Sequence, residues 1–164
     1  MNISILKADT KHTKGIARIC SVGWRQTVTR ELSEEYQKKN ADFWYNHDRV
    51  YDDIRAGMYS YVALQKQDVV GVIGGGITEV GAGEVFVFYV DETYRYKGIG
   101  RLLLEELTEE HKYLGIKKQW VSVQEDNHRG IPFYEARGFV FQHKRISYTE
   151  TNEAQVSLRY LRKI

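Results

Sequence analysis

The sequence predicts an α/β (mixed α+β) fold, a mixed sheet flanked by helices. Three observations carry this. Short runs of apolar and β-branched residues appear near both ends, amphipathic stretches of helical period separate them, and the element order βααββ(β)αβαββ combines hairpins with two crossovers. At 164 residues the chain has the length of one domain, so residues 1–164 are expected to form a single unit. A chain of this length buries roughly 70% of its unfolded surface, enough for a core without staples.

The elements follow in order. Alternation in Ile3-Ser4-Ile5-Leu6 predicts a first strand. Asp9 or Thr10 then caps a helix that turns Ile16, Ile19, Cys20 and Trp24 toward a core. Ser33 precedes Glu34 and Glu35, acidic residues suited to a first helical turn, and a further helix is expected through Asp48 to Arg55. Residues 60–65 and 69–73 flank Lys66-Gln67-Asp68 and read as an antiparallel hairpin. The run Glu84 to Val90 is almost wholly apolar, which predicts a central strand buried on both faces. Ile99, Leu103, Leu107 and Leu114 recur at helical spacing, so a helix is expected over about 98–114, ended by Gly115. A strand at 119–123, a short helix through Phe133 to Ala136, and strands at 139–146 and 155–161 complete the chain.

Charge and composition exclude several functions. With 24 Lys and Arg against 22 Asp and Glu, the formal charge is +2, far from the basic stripe that nucleic acid demands. The lone Cys20 permits neither an internal disulfide nor a multi-cysteine zinc site, and is expected to be a buried, inert thiol. Residues 1–10 lack a signal-peptide core and no 18-residue apolar run occurs, so cytoplasmic residence without a membrane is expected. The five histidines show no metal spacing, and solvated histidines are the expectation.

Chemistry concentrates in two segments. In Arg95-Tyr96-Lys97-Gly98-Ile99-Gly100-Arg101 a strand runs through glycines into a helix, whose unpaired N–H groups and basic neighbours suit a pyrophosphate. Asn127 to Phe139 holds the second pattern. Together these segments resemble the GNAT superfamily of acetyl-CoA-dependent N-acetyltransferases. Arg95, Gly98 and Gly100 match its motif [RQ]-x-x-G-x-[GA]. Asn127, Gly130, Phe133, Tyr134, Gly138 and Phe139 match N-x-x-[AG]-x-x-F-Y-x-x-x-G-F. The resemblance covers residues 59–146. By contrast, Gly71 to Gly76 lacks a following helix and reads as a glycine-rich strand, not a dinucleotide loop.

The resemblance implies a largely antiparallel central sheet of six to seven strands flanked by about four helices. It implies that a bulged strand, here Phe88-Tyr89-Val90, offers its backbone to pantetheine as an added strand would. The backbone of Arg95, Tyr96, Lys97, Gly98, Ile99, Gly100 and Arg101 would hold the pyrophosphate, and Asn127 the cofactor arm. Tyr134 would protonate the departing thiolate, and Val90 N–H would face the oxyanion. Glu84 would serve as base, directly or through water; a surface glutamate is its ordinary alternative. No metal is required, and Cys20 lies outside both motifs, which disfavours an acetyl-cysteine route. Acceptor residues fall in the weaker half, with Trp24, Glu31 and Tyr36 as candidates. The acids and aromatics of residues 31–53 suggest an entrance for a cationic amine. A catalytically silent acyl-CoA sensor is the alternative reading, and a homodimer is an open option, dimers being common among such proteins.

Overall fold

The computed structural model describes residues 2–164, leaving Met1 outside the described residues. Its seven strands form one sheet in the order β1-β2-β3-β4-β5-β7-β6, and five α-helices pack around it, one more than expected. The strands are β1 (Ile3–Lys7), β2 (Tyr61–Gln65), β3 (Asp68–Glu79), β4 (Ala82–Val90), β5 (Lys118–Gln124), β6 (Val140–Tyr148) and β7 (Ala154–Lys163). The helices are α1 (Thr13–Val28), α2 (Glu34–Trp44), α3 (His47–Arg55), α4 (Ile99–Tyr113) and α5 (Gly130–Ala136).

Local chemistry sets most boundaries. Asp9 caps a 3-10 turn that leads into α1; its side chain accepts from Lys11 N–H while His12 Nδ1 accepts from Asp9 N–H. Ser33 and Asn46 cap α2 and α3 by accepting from the N–H groups three residues on. Pro132 falls in the first turn of α5, where a missing N–H costs nothing, so the helix forms without a break. Among the described residues no helix is long and apolar enough to cross a membrane.

The apolar faces make two layers. On one side Leu103, Leu104 and Leu107 of α4 pack with Val85, Val121 and Val123. On the other, Ile16, Ile19 and Cys20 of α1 meet Val50, Val62 and Val72. Cys20 is fully buried against Tyr59, and loss of solvent pushes its thiol far above the usual range. Two histidines depart from the expected solvation. His12 and His111 are only 6% and 1% exposed; the first closes the capping turn, and His111 Nδ1 lies 3.2 Å from the Gln119 side-chain amide. Burial lowers the pKa of both rings.

The central strand is not buried on both faces. Phe86 is 44% exposed and Val87 to Val90 are half-buried, because the sheet opens beside them. Among the described residues β4 and β5 form the sole parallel pair, and their ladder runs only from Ala82–Lys118 to Val85–Val121. Beyond Val85 the two strands part.

Candidate active site

A bulge marks the place where the strands separate. Gly75 pairs with Val85 and Gly74 with Val87, which leaves Phe86 as the extra residue of β4. A Cβ on Gly75 would stand 2.4 Å from the Glu84 carbonyl, so only glycine permits this approach. The bulge thus lies two residues before the stretch 88–90 in which it was expected. Phe88, Tyr89 and Val90 pair regularly with Ile73, Val72 and Gly71.

The direction of their backbone groups follows from one bond. Asp91 N–H donates to the Val70 carbonyl at 2.9 Å, so by the alternation of an antiparallel ladder Tyr89 also faces β3. Phe88 and Val90 therefore turn their N–H and C=O groups the other way, toward the side that β5 has vacated. Tyr89, expected to share this role, directs its backbone into the sheet and its ring toward Gly23 of α1.

The second wall is the start of α4. The first helical bond is Leu102 N–H to the Gly98 carbonyl, 3.1 Å. None of the six N–H groups from Tyr96 to Arg101 donates to the described backbone. Tyr96 and Gly98 have φ of +63° and +81°, and this alternation of handedness turns successive N–H groups to one side. Such a concavity, completed by the positive end of the helix dipole, fits a pyrophosphate. Lys97 is exposed, Arg101 pairs with Glu105, and Ile99 is buried in the core. Arg95 instead folds back onto α1, donating to Gln26 at 2.8 Å, so its charge is partly engaged. Gly100 lets α4 approach α5: a Cβ there would lie 3.4 Å from the Phe133 ring and 3.6 Å from Phe88.

α5 supplies the third wall. Asn127 Oδ1 accepts from Gly130 N–H at 2.8 Å and pins the start of the helix, leaving its side-chain N–H groups for another partner. Tyr134 is 8% exposed, and its ring meets Phe88, Phe133 and Phe139 edge-on with centroids 5.4–6.2 Å apart. Burial alone pushes its phenol well above the ordinary value, so the hydroxyl is protonated throughout the neutral range. A protonated phenol is a proton donor, and the ring that carries it packs on Phe88 of the open edge.

On the opposite face of the sheet, Glu84 meets a residue that no motif or spacing connects with it. Arg159 of β7 reaches across β5 and donates to both Glu84 oxygens, at 2.7 and 3.0 Å, and to Ser122 Oγ at 2.8 Å. Its guanidinium lies 4.8 Å from the centre of the Trp120 ring. The only hint in sequence is a charged residue between the apolar Leu158 and Tyr160 of a strand.

Of the three acceptor candidates, Trp24 and Tyr36 share one cluster and Glu31 is held apart by a backbone contact. Trp24 is a core residue, 8% exposed, packed with Val28, Leu32 and, edge-on at 6.2 Å, the Tyr36 ring. Tyr36 is half-buried at the surface of this cluster. Glu31 accepts from Asp126 N–H at 3.1 Å, and burial followed by the Asp126 carboxylate raises its pKa. The loop before α2 is also tied to the β6–β7 turn, since Ser33 N–H and Oγ donate to Glu153 at 2.6 and 2.8 Å. Part of the expected aromatic entrance is engaged in local pairs. Phe43 and Trp44 stack with Arg49, while Asp42 and Asp53 are paired within their helices to Lys38 and Arg49. Helical i,i+4 spacing claims these groups locally.

Known proteins resemble this chain in sequence and in fold. The model of the acetyltransferase (GNAT) family matches residues 22–139. The [ribosomal protein bS18]-alanine N-acetyltransferase of Escherichia coli (strain K12) is 35% identical over 81 residues, 48% of this chain and 55% of that protein. The chain thus spans about half the length of the curated relatives it matches. Two solved structures agree in fold. The paia N-acetyltransferase of Thermoplasma acidophilum, in complex with coenzyme A, has a TM-score of 0.78 at 22% identity over 96% of this chain and 98% of that one. Salmonella typhimurium yncA, solved with its cofactor acetyl-CoA, has a TM-score of 0.71 at 16% identity over 99% and 94%. A family match across most of the chain joins a parted β4–β5 pair and a free N–H run at α4, and by these the chain belongs to the acetyltransferase (GNAT) family.

Proposed function

We propose that the protein transfers the acetyl group of acetyl-CoA to a primary amine, by direct attack within a ternary complex. The observation that carries this reading is the free edge of Phe88 and Val90, flanked by the N–H run of α4 and by the Tyr134 ring packed on Phe88. That edge offers the donor and acceptor pairs an extended amide chain such as pantetheine requires. Asn127 has side-chain N–H groups to spare for the same arm. Val90 N–H polarises the thioester carbonyl and holds the oxyanion that develops as nitrogen attacks.

Proton traffic follows from the two faces of the sheet. As the C–N bond forms and the C–S bond breaks, Tyr134 donates its proton to sulfur. The attacking nitrogen sheds its own proton through water toward the Glu84 carboxylate. Direct transfer to Glu84 is disfavoured because Arg159 already occupies both oxygens. Cys20 takes no part, being sealed in the core.

The acceptor is a primary amine on a small molecule or on a peptide. The relative named for alanine acetylation of bS18 brings a peptide α-amine into consideration, beside polyamine and amino-sugar nitrogens. Cytoplasmic residence, consistent with a single unpaired thiol, belongs to the same proposal. The test is thiol release from acetyl-CoA with an alanyl peptide, a lysyl peptide, spermidine and glucosamine, each product weighed by mass spectrometry. One added acetyl group on an amine supports the reading. Tight acetyl-CoA binding with no acetylated amine would favour a sensor instead.

A further inference from the structure

Resting on the reading that Glu84 serves the attacking amine, we propose that Arg159 is its positioning residue. The guanidinium clamps Glu84 from the far side of β5 and fixes the direction in which the carboxylate can receive a water-borne proton.

The geometry is a chain of constraints. β7 and β4 flank β5, so the side chain of Arg159 spans a whole strand to reach Glu84. Residues 84 and 159 are 75 apart in sequence, and their juxtaposition depends on the parallel ladder that ends one residue later at Val85. The bond is end-on and bidentate, which fixes the plane of the carboxylate as a single contact does not. Ser122 Oγ takes another guanidinium hydrogen from below and the Trp120 ring faces the cation, so the clamp is itself held. Arg159 is 6% exposed and the Glu84 side chain 18%, so the guanidinium is enclosed while the carboxylate keeps a side open to water.

The location gives the clamp its purpose. Glu84 lies just before the strands part, on the face opposite the α4 leucines, since Val85 packs with those leucines and neighbours alternate. A freely turning glutamate at the mouth of a parting strand pair would sample several rotamers, including some in which it pairs with the amine as an ammonium. Ammonium capture is unproductive because attack needs the neutral nitrogen. A carboxylate held by arginine carries little net charge outward, and its free lone pairs point in one direction. Arg159 therefore acts through Glu84 and makes no contact of its own with the reacting atoms.

Steady-state kinetics of four variants test this, using acetyl-CoA and whichever amine of the four named above turns over fastest. Arg159→Gln is expected to lower kcat about 10- to 100-fold, the cost of a misplaced group. KM for acetyl-CoA should stay within about twofold. Arg159→Lys recovers part of the loss, because one ammonium restores charge but not the fork. Glu84→Gln is expected to lower kcat to a similar extent, and Glu84→Gln/Arg159→Gln no further. The double variant removes both charges together, which protects the fold; its melting midpoint checks this. An equal loss from Arg159→Gln in both backgrounds would show that Arg159 acts independently and overturn the proposal. Full turnover of Glu84→Gln would instead remove the role of Glu84, and the proposal with it. If Arg159→Gln does not fold, Arg159→Lys with unchanged kcat overturns the proposal as well.

Discussion

Replacing Tyr134 by phenylalanine separates the chemistry of this site from its architecture. The ring is held by three edge-on aromatic contacts, to Phe88, Phe133 and Phe139, and all survive the substitution. Burial alone accounts for the raised pKa of the phenol, so the variant loses no charge-stabilising partner. Stability should change by less than about 1 kcal/mol, the scale of a single hydroxyl. Catalysis should change far more. A positioned general acid contributes roughly 10²- to 10⁴-fold, which corresponds to about 2.7–5.4 kcal/mol of barrier. The expected result is a fall of at least about 100-fold in amine-dependent thiol release, with KM for acetyl-CoA unchanged. In the wild type the rate should show no alkaline decline until above the ordinary phenol value of about 10, because the raised pKa keeps the acid protonated. Undiminished turnover of Tyr134→Phe would refute the assignment of the proton to this residue.

Two further outcomes concern the fold and the anion corner. Gly98→Ala places a Cβ at φ +81°, with no backbone neighbour to clash and only the Arg101 guanidinium at 3.8 Å. The cost is conformational, about 1–2 kcal/mol. Differential scanning calorimetry should show a drop of several degrees, and calorimetric titration a roughly tenfold weaker acetyl-CoA affinity if the N–H run relaxes. The second outcome is an alkaline unfolding transition. Burial raises the phenols of Tyr45, Tyr59, Tyr89 and Tyr134. Below about pH 10 both states keep these protons and stability is flat. Above it the unfolded chain releases them and the folded chain does not, so stability falls by up to about 1.4 kcal/mol per phenol per pH unit. Circular dichroism should show cooperative loss of structure, with the share of phenolate absorbance that belongs to these four buried rings appearing in the same step. The full phenolate absorbance of all twelve tyrosines, reached with the fold intact, would contradict the burial argument.

The sequence disclosed what is local. Caps at Asp9 and Ser33, the leucine period of α4 and the glycine run of β3 are each set by neighbours within a few residues, and each appears where its spacing indicates. The free N–H groups at Tyr96 to Arg101 were legible for the same reason, since a strand, glycines and a helix start lie within eleven residues of Asp91. What stayed hidden depends on which strands lie side by side. An apolar run from Glu84 to Val90 looks central, and nothing within it announces that β5 leaves after Val85. The Arg159–Glu84 clamp spans three strands, and the placement of β7 between β5 and β6 is a property of topology alone. Phe43, Trp44 and the acids near them suggested a pocket, yet arginine and lysine partners four to six residues away claimed them first. His12 and His111 found buried acceptor roles that their isolated positions in the sequence do not signal.

The central claim is that the parted β4–β5 edge and the N–H run of α4 form one site for pantetheine and pyrophosphate. Isothermal titration of the protein with acetyl-CoA, CoA and ATP tests it most directly. One acetyl-CoA bound per chain with micromolar affinity, competed by CoA and not by ATP, is the predicted result. Absence of acetyl-CoA binding, or ATP binding of equal strength, would contradict the account at its foundation.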